Sequence, residues 1–388
     1  MIYKVLSDFS SYVNERIPVE KLNLNNYIST ENMLQNKNGI VKSAKLPTTK
    51  SVVSYQKGDI LISNIRPYFK KIWYANKNGG CSNDVLVIRA HENYNSKFLY
   101  YILSSDNFFD YVMSMSKGTK MPRGDKSAIM QYSIPNLSSK EQFEISETLS
   151  SIDKLININS KINHHLSVIV QAIFNSWFVD YVPFGGTLPS EWKEVDFDEI
   201  STVQNGYAFK SKDYVSDGVR MIRTTNFDNG YVNNNDLIML PSEFYNDAKY
   251  RNFVLKKFDT VLVMVGASVG KISLITELNT PALQNQNMWR FRSIIPEIPE
   301  SFIHFNVKRI NDQVRGWSSG SARDFYRKDI FKKAKVYLPT SQVLDDFSKI
   351  TMPIFEQISN NILENDKLIK ARDSLLPKLM SGEVSVTD

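Results

Sequence analysis

The sequence predicts an α+β fold: two similar mixed α/β globular domains joined by two long antiparallel coiled-coil helices, as a pseudo-twofold internal duplication. Three observations predict this fold: a length of 388 residues, short segments that recur about 200 residues later, and two stretches with heptad spacing of apolar residues. At ~100–200 residues per domain, this length suggests two or three domains. Two globular domains of ~150 residues would leave roughly 80 residues for the helices.

The composition excludes several classes of protein. Hydrophobic residues make up 42% and charged residues 23%, as in ordinary globular proteins, which excludes disordered and fibrous classes. The single cysteine, Cys81, cannot form an internal disulfide, and the first residues lack the apolar run of a signal peptide. No stretch reaches the ~18 apolar residues of a membrane helix, so we expect a soluble, cytoplasmic protein. The net charge of +6 permits a nucleic-acid partner without requiring one.

Short segments of the first half recur in the second half. Four pairs follow the same order: residues 28–33 and 222–227, the Asn-Gly turns at 38–39 and 229–230, residues 57–62 and 257–262, and Arg123 with Asp125 and Arg327 with Asp329. The offset is 194 residues at the first pair and 204 at the last, as loop insertions in a duplicated domain would produce. Chance readily supplies one such pair, but not four in the same order, so the pattern predicts a duplication.

The globular halves contain more strand than helix. Short β-branched or aromatic runs between turn residues indicate strands at 59–62, 85–88, 260–263 and 288–291, and residues 97–112 indicate a buried helix. The Pro- and Gly-rich residues 183–189 form the clearest linker. The predicted boundaries are a first globular domain at 1–137, a central long helix at 138–182, a second globular domain at 183–339, and a C-terminal long helix at 340–388.

Each half ends at a proline that is followed by a helical pattern. Ser138 and Glu141 form a capping-box sequence after Pro135. Apolar residues then step by four and three, with one phase slip around Asn159. The predicted seam positions are Ile145, Leu149, Ile152, Ile156, Ile162, Leu166, Ile169 and Ile173 in the first helix, and Ile358, Ile362, Ile369, Leu376 and Leu379 in the second.

The length of these helices predicts that they pair with each other. A helix of ~40 residues is ~60 Å long and cannot be covered by one small domain. Pro353 is expected to kink or interrupt the early part of the second helix. Asn159 and Asn365, in or near the seams, either fix the register of the pair or are tolerated at its edge, and the sequence favours neither reading.

The chain carries no familiar catalytic signature. Residues 266–271 resemble a phosphate-binding loop, but the glycines are one residue too close and Ile272 replaces the magnesium-binding hydroxyl. We therefore expect a tight turn beside DNA phosphates rather than nucleotide hydrolysis. The four histidines form no zinc motif, and Cys81 has no histidine partner in the sequence. We predict no catalytic residue and no metal site.

Basic and amide side chains cluster in the turns and Gly-rich loops of both halves. Arg and Lys hold phosphates or read guanine, and Asn and Gln can pair with adenine. For any single residue a solvated loop explains the pattern as well, but the clusters together favour DNA contact. The candidate DNA-binding residues are Asn64, Arg66, Tyr68, Lys70, Lys117, Lys120, Arg123, Arg223, Asn226, Ser268, Lys271, Asn285, Asn287, Arg323 and Arg327.

Four segments of the chain match a known pattern: residues 57–63 and 266–271, the helix exit at 173–181, and the tail at 375–384. On these segments the chain resembles, over essentially its whole length, the specificity subunit of type I restriction-modification systems. The helix exit and the tail are the more specific markers. Phe258 stands where the first half has Gly58, so base-reading residues cannot be transferred from one half to the other.

The resemblance implies a non-catalytic subunit that recognises a bipartite, asymmetric DNA target. Each globular half would be a target-recognition domain, and the helices would form a spacer. Two adenine-N6 methyltransferase (modification) subunits would dock on the chain, and restriction nuclease-translocase subunits would join them. S-adenosylmethionine, ATP and Mg would be bound by these partners and none by this chain. Two alternatives stay open: a single-chain DNA modification or restriction enzyme with an unrecognised active site, and a coiled-coil scaffold that binds proteins.

Overall fold

The structure, a computed structural model, describes residues 2–116, 118, 121–228, 230–317, 326–381 and 383–384. The chain divides into two compact units, the first formed by Met1–Leu155 with Leu368–Asp388 and the second by Ile156–Lys367. Each unit therefore contains one globular part and one segment of each of two long helices.

The globular part of the first unit is built on two four-stranded sheets. Its strands are β1 Tyr3–Val5, β2 Ser10–Tyr12, β3 Arg16–Pro18, β4 Tyr27–Ile28, β5 Ser51–Tyr55, β6 Ile60–Ser63, β7 Ile72–Tyr74, β8 Gly79–Cys81, β9 Val85–Ala90 and β10 Ser133–Pro135. Its helices are α1 Leu6–Phe9, α2 Ser96–Leu103, α3 Asp106–Ser114, α4 Lys126–Met130 and the start of α5 Ser139–Phe178. The sheet orders are β2-β9-β6-β7 and β3-β5-β8-β4, and β1 pairs with β10.

The central strands of the first unit are buried on both faces. Ile60 pairs with Ile88 across β6 and β9, and both pack against α2 and α3. Leu61 points to the opposite face and packs with residues of the other sheet. Burial on both faces explains why these strands are continuous apolar runs rather than alternating ones. The strands expected at 59–62 and 85–88 correspond to β6 and β9.

The helix expected at 97–112 is in fact two helices. Asn95 caps α2 by accepting hydrogen bonds from the backbone N–H groups of Lys97 and Phe98, both at 3.0 Å. Ser105 caps α3 by accepting from the N–H of Phe108 at 3.2 Å. The serines at 104 and 105 end one helix and start the next, since serine favours caps over helix interiors.

The second unit has a six-stranded and a four-stranded sheet. Its strands are β11 Lys193–Asp196, β12 Ser201–Asn205, β13 Val219–Ile222, β14 Phe227–Asp228, β15 Tyr231–Val232, β16 Ile238–Leu240, β17 Val254–Leu255, β18 Thr260–Val263, β19 Ile272–Leu274, β20 Ala282–Gln284, β21 Met288–Ser293 and β22 Lys335–Leu338. Its helices are α6 Glu300–Trp317, α7 Lys328–Lys332 and most of α8 Ser341–Ser381. The sheet orders are β12-β21-β18-β19-β15-β14 and β16-β13-β20-β17, and β11 pairs with β22.

The repeated Lys-x-Asp motif fixes a strand entry in each unit. Asp59 is 1% exposed and receives two hydrogen bonds from the guanidinium of Arg89, both at 2.8 Å. Asp259 is equally buried and receives two from Arg292, both at 2.6 Å. In each unit the aspartate ties the start of one central strand to its neighbour, so the motif is structural.

Phe258 replaces Gly58 at a position where the backbone is left-handed. The φ angle is +94° at Gly58 and +69° at Phe258, a conformation that non-glycine residues rarely adopt. The Phe258 ring is held against Phe355 of α8, with ring centroids 5.7 Å apart. Packing on the long helix therefore compensates for the backbone cost in the second unit.

Each of the two long helices is a single continuous element. α5 has 40 residues and α8 has 41. The capping box is confirmed: the Ser138 N–H donates to the Glu141 carboxylate at 2.8 Å, and the Glu141 N–H donates to the Ser138 hydroxyl at 3.3 Å.

Pro353 was expected to kink or interrupt the second long helix. It does not interrupt it, because α8 continues through the proline. The neighbouring Phe355 is 3% exposed, and this packing retains the helix through the proline.

Within each unit the segments of α5 and α8 share the core of the globular part. In the first unit this core includes Ile145 and Leu149 of α5 and Leu376 and Leu379 of α8. In the second unit it includes Val170, Phe174 and Phe178 of α5 and Leu344, Phe347 and Phe355 of α8. The predicted seam residue Ile358 is also buried, at 2% exposed. Among the other predicted seam positions, Ile152, Ile156, Leu166, Ile173 and Ile362 are half-buried.

The predicted seam is wrong at three positions. Ile162, Ile169 and Ile369 are 40%, 47% and 39% exposed. The alternating step of three and four runs through α5 without the expected phase slip, which places Asn163 in the seam instead of Ile162. Asn163 is 5% exposed, and its amide nitrogen and amide oxygen each have a hydrogen-bond partner, as buried polar groups usually do.

Asparagines join the two helices inside the second unit. The Asn163 amide donates to the carbonyl of Ile358 at 3.2 Å, and the Asn361 amide donates to Asn163 at 2.8 Å. The Asn159 amide donates to Asn365 at 3.1 Å, and Asn365 donates to the carbonyl of Ile156 at 3.3 Å. In the first unit Arg372 of α8 pairs with Asp153 of α5 at 2.7 Å.

Candidate nucleic-acid interface

Backbone hydrogen bonds gather four loops of the second unit at one edge. The Tyr326 N–H donates to the carbonyl of Met264 at 2.8 Å, and the Met264 N–H donates to Asn287 at 3.1 Å. The Asn285 N–H donates to the carbonyl of Ile222 at 3.1 Å. We call residues 222–226, 264–271, 284–287 and 326–327 the second loop edge. It brings together these predicted residues: Arg223, Ser268, Lys271, Asn285, Asn287 and Arg327.

The first unit has a matching edge made by equivalent hydrogen bonds. The Asn64 N–H donates to the carbonyl of Asp84 at 2.8 Å, the counterpart of the bond from Met264 to Asn287. The Ser82 N–H donates to Ile28 at 2.8 Å, the counterpart of the bond from Asn285 to Ile222. We call residues 28–33, 64–71, 82–84 and 121–124 the first loop edge. It brings together these predicted residues: Asn64, Arg66, Tyr68, Lys70 and Arg123.

The first loop edge has a fixed backbone. Arg66 and Lys70 have φ angles of +51° and +48° and flank the single turn Pro67–Phe69. The Arg66 N–H donates to the carbonyl of Pro122 at 2.8 Å, which joins this turn to the segment that carries Arg123. Two left-handed residues in one turn are costly and persist only where their surroundings hold them. The exposed side chains of Arg66 and Tyr68 therefore project from a preformed loop.

Acidic side chains partner several cations of the first loop edge. Arg123 pairs with Asp84 at 3.2 Å, and Lys70 pairs with Asp106 at 2.9 Å. Lys71 donates to the carbonyl of Thr30 at 2.6 Å, and burial, with the nearby Arg66 charge, lowers the pKa of its ammonium group. Asp84 and Asp106 were not among the predicted residues. Aligning residues 82–84 with 285–287 would have found Asp84, but nothing in the sequence singles out Asp106.

The glycine-rich segment of the second half is the turn of a β-hairpin. It connects β18 to β19, and no helix follows it, as a phosphate-binding loop would need. The Gly270 N–H donates to the carbonyl of Val263 at 2.9 Å, which closes the turn. Gly270 has a φ angle of +80°, and a Cβ atom there would lie 2.6 Å from the hydroxyl of Tyr326, so both the backbone conformation and the close contact favour glycine. Lys271 is exposed and Ser268 is half-buried.

Asn226 is not placed to contact DNA, and that prediction is wrong. It is 1% exposed. Its amide oxygen accepts the Arg223 N–H at 3.0 Å, and its amide nitrogen donates to the carbonyl of Asn235 at 2.8 Å. Asn32 in the first unit makes the same kind of bonds, with the Ser29 N–H at 2.6 Å and the Val41 carbonyl at 2.9 Å. The repeated asparagine shapes a turn in each unit.

The Arg223 side chain also forms a hydrogen bond within its own unit, close to the turn that Asn226 shapes. Its guanidinium donates to the carbonyl of Asp236 at 2.6 Å, and its Nε is buried with no partner among the described residues. Arg327 is more available, with a side chain that is 66% exposed and pairs with Asp329 at 2.6 Å. Three other predicted residues, Lys117, Lys120 and Arg323, lie outside the described residues.

Two groups of the kinds that often serve catalysis, Cys81 and His304, are withdrawn from solvent. Cys81 is 0% exposed, and burial, with the nearby Asp59 charge, raises the pKa of its thiol to about 12. His304 faces the hydroxyl of Thr260 at 3.0 Å, and burial, with the Lys308 charge, lowers the pKa of its imidazole to about 3.

Among the described residues, His, Cys, Asp and Glu side chains form no group of three that could hold a metal ion. No helix in the described ranges is both long and apolar enough to span a bilayer.

Comparison with known proteins agrees with the sequence and the fold. A family model described as the type I restriction modification DNA specificity domain matches residues 3–167 and 189–371. The chain is 24% identical to the type I restriction enzyme MjaVIII specificity subunit of Methanocaldococcus jannaschii, over 98% of this chain and 92% of that protein. It is also 24% identical to the HindI specificity subunit of Haemophilus influenzae, over 98% of both proteins.

A solved structure shares the fold. The crystal structure of the S subunit of a type I restriction-modification system from M. genitalium superposes with a TM-score of 0.52. The match covers 98% of this chain and 96% of that chain at 18% sequence identity.

Proposed function

The chain belongs to the type I restriction-modification DNA specificity family, and from this premise we propose that it recognises a bipartite, asymmetric DNA sequence. Members of this family are specificity subunits, so the chain is a non-catalytic subunit that takes part in DNA target recognition. In the finer proposal, each loop edge reads one part of the target.

The observation that carries the proposal is the pair of loop edges with equivalent backbones and different side chains. The bond from Asn64 to Asp84 matches the bond from Met264 to Asn287, yet Asp84 is acidic and Asn287 is neutral. Equivalent loops place side chains in equivalent positions, while different side chains read different base edges. Two different half-sites follow, as expected for a duplicated domain whose copies have diverged.

The long helices are proposed to form an antiparallel coiled-coil spacer between two target-recognition domains. The contacts of α5 with α8 within each unit support this arrangement. The proposed domains are residues 1–137 and 183–339, and the proposed spacer helices are 138–182 and 340–388. In this scheme the spacer sets the gap between the two parts of the target, as dimer geometry sets half-site separation in other DNA-binding proteins.

The proposed partners supply the chemistry. We propose that two modification subunits bind this chain and methylate adenine N6 with S-adenosylmethionine. Restriction nuclease-translocase subunits would add ATP- and Mg-dependent activities. The role of this chain is then to hold the methyltransferases over the adenines of a chosen sequence.

The test is a methylation map. The chain is combined with its modification subunits, and methylated adenines are located by sequencing across a genome that lacks this activity. The expected result is one split motif with two unlike halves, and no methyl transfer by the chain alone. Methyl transfer by the purified chain would instead favour a single-chain enzyme.

The scaffold alternative expects the chain to associate with proteins in a way that duplex DNA and salt do not affect. A DNA-binding chain differs, because phosphate contacts make its affinity for DNA fall steeply as the salt concentration rises.

A further inference from the structure

Two neighbouring amide side chains stand free in the second loop edge. Gln286 and Asn287 are both exposed, and neither side chain has a hydrogen-bond partner among the described residues. The adjacent Asn285 differs, because its amide oxygen accepts the Gln286 N–H at 2.8 Å and shapes the turn. Asn287 has a φ angle of +71°, and its carbonyl accepts the Met264 N–H at 3.1 Å, so its backbone is fixed.

A free carboxamide matches one base in particular. In the major groove adenine presents an acceptor at N7 and a donor at N6, and Asn or Gln can bind both at once. Guanine presents two acceptors, which suit Arg or Lys instead. The exposed Lys271 and Arg327 of the same edge supply the positive charge that phosphate contacts need.

The first loop edge has a different set of groups at the equivalent place. The matching backbone bonds put Asp84 where the second edge has Asn287. The Asp84 carboxylate holds the Arg123 guanidinium at 3.2 Å, and the Arg123 side chain is 54% exposed. An arginine donates to guanine, and a carboxylate accepts from the amino group of cytosine. The two edges therefore differ in the base pair that their chemistry suits.

We propose that Gln286 and Asn287 read adenine in the half-site bound by the second unit. The inference rests on the proposed function, because it requires that the second loop edge faces DNA bases. It goes further by assigning a base to named residues of one edge.

The decisive variant is Asn287→Asp. It replaces one amino group by an oxygen, keeps the size of the side chain, and introduces a residue that tolerates a left-handed backbone. A carboxylate is repelled by adenine N7 but can accept from cytosine N4. Gln286→Glu makes the same exchange at the neighbouring position. The matched control is Asn246→Asp, an exposed asparagine of the same unit outside the loop edge that gains the same charge.

The measurement is the base preference at each position of the target. The full chain with its modification subunits selects duplexes from a randomised library, and the selected sequences are counted. For Asn287→Asp or Gln286→Glu we expect one position of one half-site to change from adenine to cytosine. The preference ratio at that position should change on the order of 10- to 100-fold. The control should select the same sequence as the unmodified chain.

A reciprocal variant identifies which half-site belongs to which unit. Asp84→Asn should alter the other half-site and leave the half-site altered by Asn287→Asp unchanged. Retention of adenine by both Asn287→Asp and Gln286→Glu, with a split motif still selected, would overturn the inference and leave the proposed function standing. Failure of the unmodified complex to select any split motif would overturn the proposed function itself.

Discussion

Buried ion pairs connect neighbouring strands in both units, because Asp59 and Asp259 each bind an arginine of the next strand. Replacing Asp259 by alanine leaves the Arg292 guanidinium, which is only 20% exposed, without its charge partner. Breaking a buried pair by removing one member costs about 3–5 kcal/mol, and we expect about 3 kcal/mol because Arg292 keeps some contact with water. Urea denaturation followed by circular dichroism measures this loss.

The control for this prediction is an exposed pair. Asp345 and Lys349 lie one turn apart on α8 with side chains that are 56% and 66% exposed. Asp345→Ala should leave the denaturation midpoint unchanged within error, since exposed pairs contribute little. An equal loss in both variants would contradict the structural role of Asp259.

His304 should make the stability of the chain depend on pH. Its pKa is lowered to about 3 by burial, with a smaller effect of Lys308, so the folded protein keeps it neutral where an unfolded chain would protonate it. The unfolded state then binds more protons below pH ~6.5. This contribution to stability is present above that pH and is lost as the pH falls toward 3, by up to about 1.4 kcal/mol per pH unit.

The variant His304→Asn tests this dependence. The asparagine oxygen can still accept from the Thr260 hydroxyl, which lies 3.0 Å from His304 Nδ1. We expect the free energy of unfolding of the variant to fall less steeply than that of the unmodified chain between pH 6.5 and 4. The comparison uses urea denaturation at four or more pH values. Parallel slopes in the two proteins would contradict a neutral His304 in the folded state.

For single residues, the sequence identified positions that matter to the fold, but it did not reveal which residues they contact. The repeat identified Asp59, Asp259 and Asn226, but their partners lie elsewhere in the chain: Arg89 is 30 residues from Asp59, and Arg292 is 33 residues from Asp259. Only the folded sheets bring these pairs together. Asn226 was assigned to DNA because amides suit adenine, and its burial could not be inferred from one sequence.

Among the elements, the long helices were predicted well in extent and less well in the face that they bury. Capping signals and prolines bounded α5 and α8, whereas apolarity favoured Ile162 over the adjacent Asn163. In the structure the apolar seam keeps its regular step of three and four residues, and this step places Asn163 in the seam and leaves Ile162 exposed. Asn163 can occupy the seam because Asn361 and the Ile358 carbonyl complete its hydrogen bonds at 2.8 and 3.2 Å.

The asparagine pair should show strong coupling. Asn163→Leu leaves the buried Asn361 amide without its acceptor, and we expect a loss of about 1–3 kcal/mol in the free energy of unfolding. The double variant Asn163→Leu with Asn361→Leu replaces both polar groups by apolar ones, and should recover most of that loss. Urea denaturation of the two single variants and the double variant gives the coupling energy. Additive effects would contradict a direct bond between the two side chains.

The same pair bears on the register of the helices. A buried asparagine that bonds across a coiled coil favours the one register in which its partner is present, often at a cost in stability. Asn159 with Asn365 and Asn163 with Asn361 give two such bonds. We therefore favour the register role over mere tolerance, and it stays a prediction. The double leucine variant should be stable but should accept a wider range of target gaps than the unmodified chain.

For the whole molecule, the internal repeat carried most of the predictive power. It indicated two similar globular parts, and equivalent hydrogen bonds occur in the two units at Asn64 and Met264. It did not predict that each unit would combine one globular part with segments of both helices. Linear boundaries such as 1–137 follow the order of the chain, whereas a compact unit here takes residues from two distant segments.

Lengthening both helices by one heptad should change the gap in the target and nothing else about it. Seven residues are inserted in α5 between Leu155 and Ile156 and seven in α8 between Lys367 and Leu368, where the two units divide. A heptad keeps the seam in phase and adds about 10 Å of helix, which equals roughly three base pairs at 3.4 Å each. We expect a gap about three base pairs longer with both half-sites unchanged, measured by mapping methylated adenines with the modification subunits present. A control chain has Lys154 and Lys367, exposed residues beside the two insertion points, replaced by alanine without a change in length, and should keep the original gap. New half-site bases with the old gap would contradict the spacer role of the helices.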